Sequence, residues 1–336
     1  MRVPALSQLR IVATSDIHLG SYHSAVDASG KNMGLKSIEG VLDFITDYCR
    51  KVEPDVFIFA GDLYKTSVGK PSQGEQLTAA EFFHGISGIC PIIALCGNHD
   101  QEAYSGVDAL QIFKKMNLRM NVIGRPDEWS VITVAGVRVG LYHGMLSNSR
   151  TESGMLTDSI RSGLPSIHDA PPADLHICGD IHKRQRLADN AYYCGAPDRL
   201  NWGEEDELPT IWDITVTKDD KGKVADIQWN AIPTPARRFV TITDEADVND
   251  VDVNGAMVRF DGELKTYTQG ELVQLLKSRG AMEVSSVADS SEFEQAPTLY
   301  TSFVPSEALT VWLEAQPDVS RELKAYSQEL LKEMTS

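Results

Sequence analysis

The 336-residue sequence predicts a layered α/β fold. Short apolar runs rich in Val, Ile and Phe recur through the first two hundred residues, and helical periodicity separates the first two of them. A second, smaller set of strand patterns follows Pro233 and Pro235. The five principal runs lie at residues 9–13, 55–60, 91–95, 137–142 and 174–178. Each has the length of one strand.

Helices are predicted between the strands. Apolar residues from Ile38 to Val52 recur at helical spacing, which indicates a helix packed on the sheet, and residues 72–89 indicate a second. After the prolines, strands are predicted at 238–243, 256–260 and 281–287. A helix among them opens on a capping box, Thr268 to Glu271, and Gly280 is placed to end it. Beyond Pro297, two helical patterns separated by Pro317 reach the end of the sequence.

The composition is that of an ordinary globular protein, with 42% hydrophobic and 24% charged residues. Residues 1–15 have no apolar core long enough for a secretory signal, and no later apolar run approaches the roughly 18 residues of a membrane span, so we expect a cytoplasmic protein. The five cysteines form no CxxC pair and are interpreted as reduced core thiols.

The formal net charge of −17 repels phosphate backbones at long range. Any polyanion that the protein handles therefore needs a local cationic patch. Lys183, Arg184, Arg186 and Arg199 are candidates for such a patch, and a solvated loop is the alternative interpretation.

Ligand-type residues follow all five principal strands. They are Asp16 and His18, Asp62, Asn98 with His99 and Asp100, His143, and Asp180 with His182. Because sites in open sheets form at the carboxyl ends of strands, these ends are expected to converge. Each piece alone is ordinary turn chemistry, but carboxylate, amide and imidazole groups at five successive strand ends together favour a site for a divalent ion such as Mn²⁺.

These motifs resemble the calcineurin-like metallophosphoesterases. A narrower resemblance, to the SbcD-type DNA repair nucleases, rests on the pattern Gly195-x-x-x-Arg199-x-x-x-Gly203-Glu204, the small domain and the helical tail. The resemblance implies a four-layer sandwich of two sheets flanked by helices, with a small α/β capping domain. It implies a nuclease domain at 1–232, a DNA-binding capping domain at 237–292 and an ATPase-binding helical tail at 300–336.

The resemblance also implies two divalent metal ions, with Mn²⁺ as the expected ion and Mg²⁺ as the alternative. Asp16, His18, Asp62 and His182 would hold one ion. Asp62, as the shared ligand, would hold the other together with Asn98, His143 and Asp180. His99 would act as the acid, with Asp100 holding its tautomer.

Asp180 departs from the family pattern, which has histidine there. A carboxylate lowers the positive charge of the site and weakens its Lewis acidity, and an engineered change would look the same in the sequence.

The resemblance implies a DNA exonuclease and endonuclease subunit of an SbcC–SbcD-like complex that processes double-strand breaks in repair, recombination and replication. Its partners would be DNA and an SbcC-like coiled-coil ABC-type ATPase, with a homodimer inside a heterotetramer and no membrane. The tail would contact the ATPase through Leu309, Trp312, Leu323, Tyr326 and Leu330, unless this stripe packs on the protein's own small domain. The alternatives are a small-substrate phosphatase or nucleotide phosphodiesterase, and a DNA-positioning scaffold weakened by Asp180.

Overall fold

The computed structural model describes residues 8–20, 26, 30–65, 71–101, 108–151 and 153–286. The strands are β1 Gln8–Thr14, β2 Val56–Phe59, β3 Ile92–Leu95, β4 Met120–Ile123, β5 Ser130–Val134, β6 Val137–His143, β7 Leu175–Gly179, β8 Gln185–Ala188, β9 Ala191–Tyr193, β10 Thr210–Lys218, β11 Val224–Pro233, β12 Arg238–Ile242, β13 Ala256–Phe260 and β14 Glu283–Ser286. The α-helices are α1 Met33–Val52, α2 Gln73–Ser87, α3 Gln111–Lys114, α4 Thr157–Ile160 and α5 Gln269–Ser278. The result is the mixed α/β fold that the sequence predicts.

The strands of the described residues form three sheets. The first has the order β11-β10-β1-β2-β3-β4, with β1 to β4 parallel and the β10–β11 hairpin antiparallel at one edge. The second has the order β5-β6-β7-β9-β8. The third is a small parallel sheet, β12-β13-β14.

The first sheet is apolar on both faces, and strand alternation assigns each side chain to a layer. Val56 and Ile58 of β2 join the core shared with the second sheet. Phe57 and Phe59 point the other way and pack with α1 and α2, as in the edge-to-face contact of Phe59 with Phe83 at 5.8 Å. The main core therefore consists of one sheet covered by two helices and a second sheet behind it.

The ends of these helices follow from local chemistry. Asn32 Oδ1 accepts the Leu35 backbone N–H at 3.0 Å and caps α1, and Ser72 and Glu75 form a capping box on α2. The capping box predicted at Thr268 and Glu271 is confirmed at the start of α5.

The outer face of the second sheet differs from the expected helical layer. Tyr142, Leu146, Ile181 and Tyr193 form a separate small cluster there, covered by loop residues from 144–151 and 153–170 with only short helical turns. Hydrogen bonds hold these loop residues against the sheet; for example, the Leu146 backbone N–H donates to Tyr193 Oη of β9 at 2.9 Å. In the described residues the fourth layer is therefore mostly loop.

The small sheet carries α5 on one face, and Leu272 and Leu276 complete a core with Val258 and Ile242. The end of the predicted unit 237–292 and the whole 300–336 tail lie outside the described residues. All five cysteines are buried and free, as predicted. None of the helices in the described ranges is both long and apolar enough to cross a bilayer.

Candidate metal centre

The carboxyl ends of β1, β2, β3, β6 and β7 bring the predicted ligand residues to one edge of the two sheets. The loops are tied to one another by backbone hydrogen bonds, from Asp16 N–H to Gly61 O at 2.8 Å and from His18 N–H to Asp62 O at 3.1 Å. The Asp180 N–H donates to Asp16 Oδ1 at 3.1 Å, which joins the second sheet to the first at this edge.

Four of these residues have the left-handed backbone conformation that non-glycine residues rarely adopt. The φ angles are 53° for Asp16, 47° for His18, 60° for Asp62 and 95° for Asp180. Such strain concentrates at functional sites, where the surrounding structure enforces it. Gly97 makes room for the arrangement, since a Cβ there would lie 2.0 Å from Asp62 Oδ1.

One group of donors is formed by Asp16, His18 and His182, whose ligand atoms all lie within 4.8 Å of one another. The Nε2 atoms of the two histidines are 3.1 Å apart. His182 Nδ1 faces away from the group and meets Glu204 Oε1 at 2.8 Å. The second ring nitrogen of His182 is thereby turned toward the other two residues.

A second group is formed around His143. Its Nδ1 lies 2.6 Å from the carbonyl oxygen of Ala60, so this nitrogen is the donor. Its Nε2 faces Asn98 Oδ1 at 2.9 Å and Asp62 Oδ1 at 3.3 Å. Asp62 also reaches the first group, because its Oδ2 lies 3.5 Å from His18 Nε2.

The donor set fits a cation. When His143 is neutral, with its proton on Nδ1, the lone pair on Nε2 points at two oxygen acceptors. Three electron-rich atoms converge favourably only around positive charge, which a proton or a metal ion can supply. Imidazole, carboxylate and amide oxygen together suit Mn²⁺ or Mg²⁺ better than a thiolate-binding metal.

The protein charges alone set opposing pKa shifts here. Burial lowers the pKa of His143, but Asp62, Asp16 and Asp180 together raise it to about 10. Burial and the neighbouring His182 lower the pKa of His18 to about 3. Burial raises the pKa of Asp180 to about 7. The site thus concentrates buried carboxylates that positive charge must balance.

The expected pairing of Asp100 with the His99 ring is wrong. Asp100 is buried and accepts backbone N–H groups from Asp62, Leu63 and Gly97 at 2.8 to 3.0 Å, so it holds the two ligand loops together. The His99 ring instead has its Nδ1 2.9 Å from the Lys65 carbonyl oxygen. A ring nitrogen of His99 lies within 4.8 Å of the ligand atoms of His18 and Asp62.

Asp180 lies at the edge of the second group. Its Oδ1 is 4.0 Å from His143 Nε2, farther than the oxygens of Asp62 and Asn98. Its backbone N–H is the part of the residue that contacts Asp16 directly.

The four basic residues proposed for DNA contact already have protein partners. The Arg199 guanidinium donates to the carbonyl oxygens of Glu204, Glu207 and Arg237. Lys183 pairs with Glu207, Arg186 pairs with Asp189, and the Arg184 guanidinium lies 5.5 Å from the Trp212 ring centroid.

Glu204 is a site residue that the sequence reasoning missed. It is 2% exposed and contacts His182 directly. Its signal in the sequence was the Gly203-Glu204 pair that closes the pattern beginning at Gly195.

Comparison with known proteins gives a family for this arrangement. Residues 9–184 match the family model for the calcineurin-like phosphoesterases. A probable cyclic nucleotide phosphodiesterase of Pseudoalteromonas sp. (strain SM9913) is 34% identical over 95 residues, which are 28% of this chain and 33% of that protein. The chain thus spans about a third of the length of this curated relative. A solved 5'-nucleotidase precursor from Thermus thermophilus is 14% identical with a TM-score of 0.36, covering 68% of this chain and 55% of that one. Because the family model matches more than half of the sequence, this chain belongs to the calcineurin-like phosphoesterase family.

Proposed function

We propose that the protein is a two-metal phosphodiesterase that acts on DNA. The observation that carries the proposal is the position of Asp62 between two donor groups, with Oδ1 toward His143 and Oδ2 toward His18. A carboxylate in this position suits a bridging ligand, with Asp16, His18 and His182 on one side and His143 and Asn98 on the other. Asp180 would complete the second set from its edge.

Bound there, two divalent ions supply Lewis acidity to a phosphate oxygen and lower the pKa of a water nucleophile. The protein residues align these ions and balance their charge. His99 lies at the rim of the site, partly exposed, and its Nδ1 contact with Lys65 O fixes the ring so that Nε2 remains for the substrate. We assign its imidazolium form, which carries a proton on each ring nitrogen, to donation of the Nε2 proton to the leaving oxygen.

Two features support DNA as the substrate. The pattern from Gly195 to Glu204 resembles that of SbcD-type nucleases, and its Glu204 contacts the metal-ligand candidate His182. The small sheet, which a phosphatase does not require, is fixed beside this segment. Thr241 on β12 donates its N–H and its hydroxyl to Glu205, both at 2.6 Å.

A nucleotide phosphodiesterase is the second candidate. The curated relative named as a cyclic nucleotide phosphodiesterase favours it, and the comparisons lie closer to this activity than to DNA cleavage. A small diester would need the same metals and no extended binding surface.

A single set of assays separates the candidates. With Mn²⁺, we expect release of nucleotides from labelled duplex DNA at a higher kcat/KM than for cyclic nucleotides or p-nitrophenyl phosphate. Faster hydrolysis of the cyclic nucleotide would favour the second candidate. Binding of DNA without hydrolysis of any substrate would indicate the positioning scaffold. The Asp62→Asn variant controls for contaminating nucleases.

We also propose an SbcC-like ATPase partner for the 300–336 segment, based on the helical stripe that its sequence predicts, with Leu309, Trp312, Leu323, Tyr326 and Leu330. Deletion of this segment should preserve Mn²⁺ binding and abolish co-purification with the ATPase. A truncated protein that precipitates or melts much earlier would place the stripe in the protein's own core.

A further inference from the structure

We propose that Glu204 is the positioning residue that sets the tautomer and orientation of His182. Its Oε1 accepts a hydrogen bond from His182 Nδ1 at 2.8 Å, and the carboxylate is almost fully buried. The inference rests on the metal centre of the proposed function but not on the identity of its substrate.

The carboxylate of Glu204 is itself held in place. Oε1 also accepts from Asn201 Nδ2 at 2.8 Å, and Oε2 accepts the Leu200 backbone N–H at 2.7 Å. The Arg199 side chain donates to the Glu204 carbonyl oxygen at 3.2 Å. With both oxygens engaged, the side chain cannot turn away from His182 without losing several hydrogen bonds in a buried setting.

This contact decides which nitrogen of His182 can bind a metal. A neutral imidazole that donates from Nδ1 carries its lone pair on Nε2. Nε2 is the atom that lies 3.1 Å from His18 Nε2. The opposite tautomer would direct a proton into the donor group and remove His182 as a ligand.

Carboxylates in this relation to a ligand histidine typically change metal affinity by about 10- to 100-fold when removed. The Glu204→Gln variant keeps the size of the side chain, and its amide oxygen can still accept from Leu200 N–H. Its NH₂ group would then take the position of Oε1, and the Asn201 amide, which donates to Oε1 in the unmodified protein, would turn its oxygen toward that group. His182 Nδ1 would face a donor, which favours the tautomer with the proton on Nε2.

The decisive measurement is ¹⁵N NMR of histidine-labelled full-length protein in EDTA at alkaline pH, with the His182 signals assigned from a His182→Asn variant. We expect the Nδ1–H tautomer in the unmodified protein and the Nε2–H tautomer in Glu204→Gln. Calorimetry should show Mn²⁺ affinity reduced by about 10- to 100-fold in the variant.

Glu207→Gln is the matched control, because it removes the same charge from the same segment but contacts Lys183. It should leave the His182 tautomer and the Mn²⁺ affinity within about twofold of the unmodified protein, since its carboxylate does not touch a ligand histidine. A purely structural role for Glu204 would lower the melting temperature without changing the tautomer, and that result would overturn the inference.

An Nε2–H tautomer in the unmodified protein would overturn it as well. If Glu204→Gln does not fold, two other measurements decide the question: the His182 tautomer in the unmodified protein and the His182 tautomer in Glu204→Asp. The shortened carboxylate of Glu204→Asp should fail to reach His182 Nδ1. Failure of the unmodified protein to bind Mn²⁺ at all would instead refute the proposed function.

Discussion

The His143 Nε2 atom lies 3.3 Å from Asp62 Oδ1, and both side chains are buried. Burial raises the pKa of Asp62, but the facing histidines, of which His143 has the largest effect, lower it by more than burial raises it. The carboxylate therefore stays ionised. Removing the charge of Asp62 should therefore affect both donor groups that the carboxylate faces, through His143 and through His18.

Asp62→Asn should reduce Mn²⁺ binding at both positions. Asparagine tolerates the left-handed backbone, and its Oδ1 can still accept the His99 N–H that Asp62 accepts at 2.9 Å, so the loop is preserved. Calorimetry should give two ions per chain for the unmodified protein and a large loss of affinity for both in the variant. Asp226→Asn, an exposed carboxylate on β11, is the control for net charge. Two ions bound at unchanged affinity would exclude Asp62 as the shared ligand.

His99→Ala should retain both ions and lower kcat by about 10²- to 10⁴-fold on a phosphodiester, since a general acid is lost. The loss should be smaller for a p-nitrophenyl ester, because that leaving group departs without a proton. Equal losses on both substrates would argue against the acid role. Loss of an ion would show that His99 is a ligand, an outcome compatible with its distance to His18 and Asp62.

Asp180→His should raise the rate of Mn²⁺-supported phosphodiester cleavage several-fold. A neutral imidazole leaves more positive charge at the site than the carboxylate, which lies 4.0 Å from His143 Nε2. Asp180→Asn separates the removal of charge from the gain of an imidazole ligand. A lower rate for both variants would mean that the site has adapted to the carboxylate.

Local sequence signals predicted the elements that position the site. Strand ends, capping residues and helical periodicity depend on neighbours within a few residues, so the loops carrying Asp16, Asp62 and Asn98 could be read directly. The hydrogen-bond partners of Asp100 and Arg199 could not be predicted in this way, because these partners are backbone groups that the packing of the chain brings close. The loop cover of the second sheet, with no long periodic segment, left no comparable signal.

Asp213→Asn should weaken the dependence of the free energy of unfolding on pH in the acidic range. Burial raises the pKa of Asp213, but hydrogen bonds from Arg10 at 2.6 Å and Tyr48 at 2.7 Å lower it overall. The lowered pKa means that the ionised carboxylate stabilises the fold above its ordinary pKa and loses this effect as the pH falls through the folded-state value. At neutral pH the variant should lose about 1–2 kcal/mol, with the half-exposed Arg10 limiting the effect. Urea unfolding at neutral and acidic pH should show the difference shrinking on acidification; a constant difference would contradict this assignment.

Asp198→Asn should be the most destabilising of these changes. Asp198 and Arg237 form an ion pair with both side chains 1% exposed, and the carboxylate accepts from the Arg237 side chain at 2.6 and 2.8 Å and from its backbone N–H at 2.8 Å. Arg237 immediately precedes β12, so the pair fixes the start of the small sheet against the segment that carries Glu204.

Removing one partner of a buried ion pair typically costs about 3–5 kcal/mol. Urea unfolding of Asp198→Asn should show a loss of this size, whereas Asp189→Asn at the exposed Arg186 pair should change little. The double variant Asp198→Leu with Arg237→Met removes both charges and should recover much of the loss, because an apolar pair carries no desolvation penalty. A decrease in the free energy of unfolding below about 1 kcal/mol for Asp198→Asn, or a double variant less stable than the single variant, would contradict this prediction. Either result would show that the ion pair does not fix the small sheet to the segment that carries Glu204.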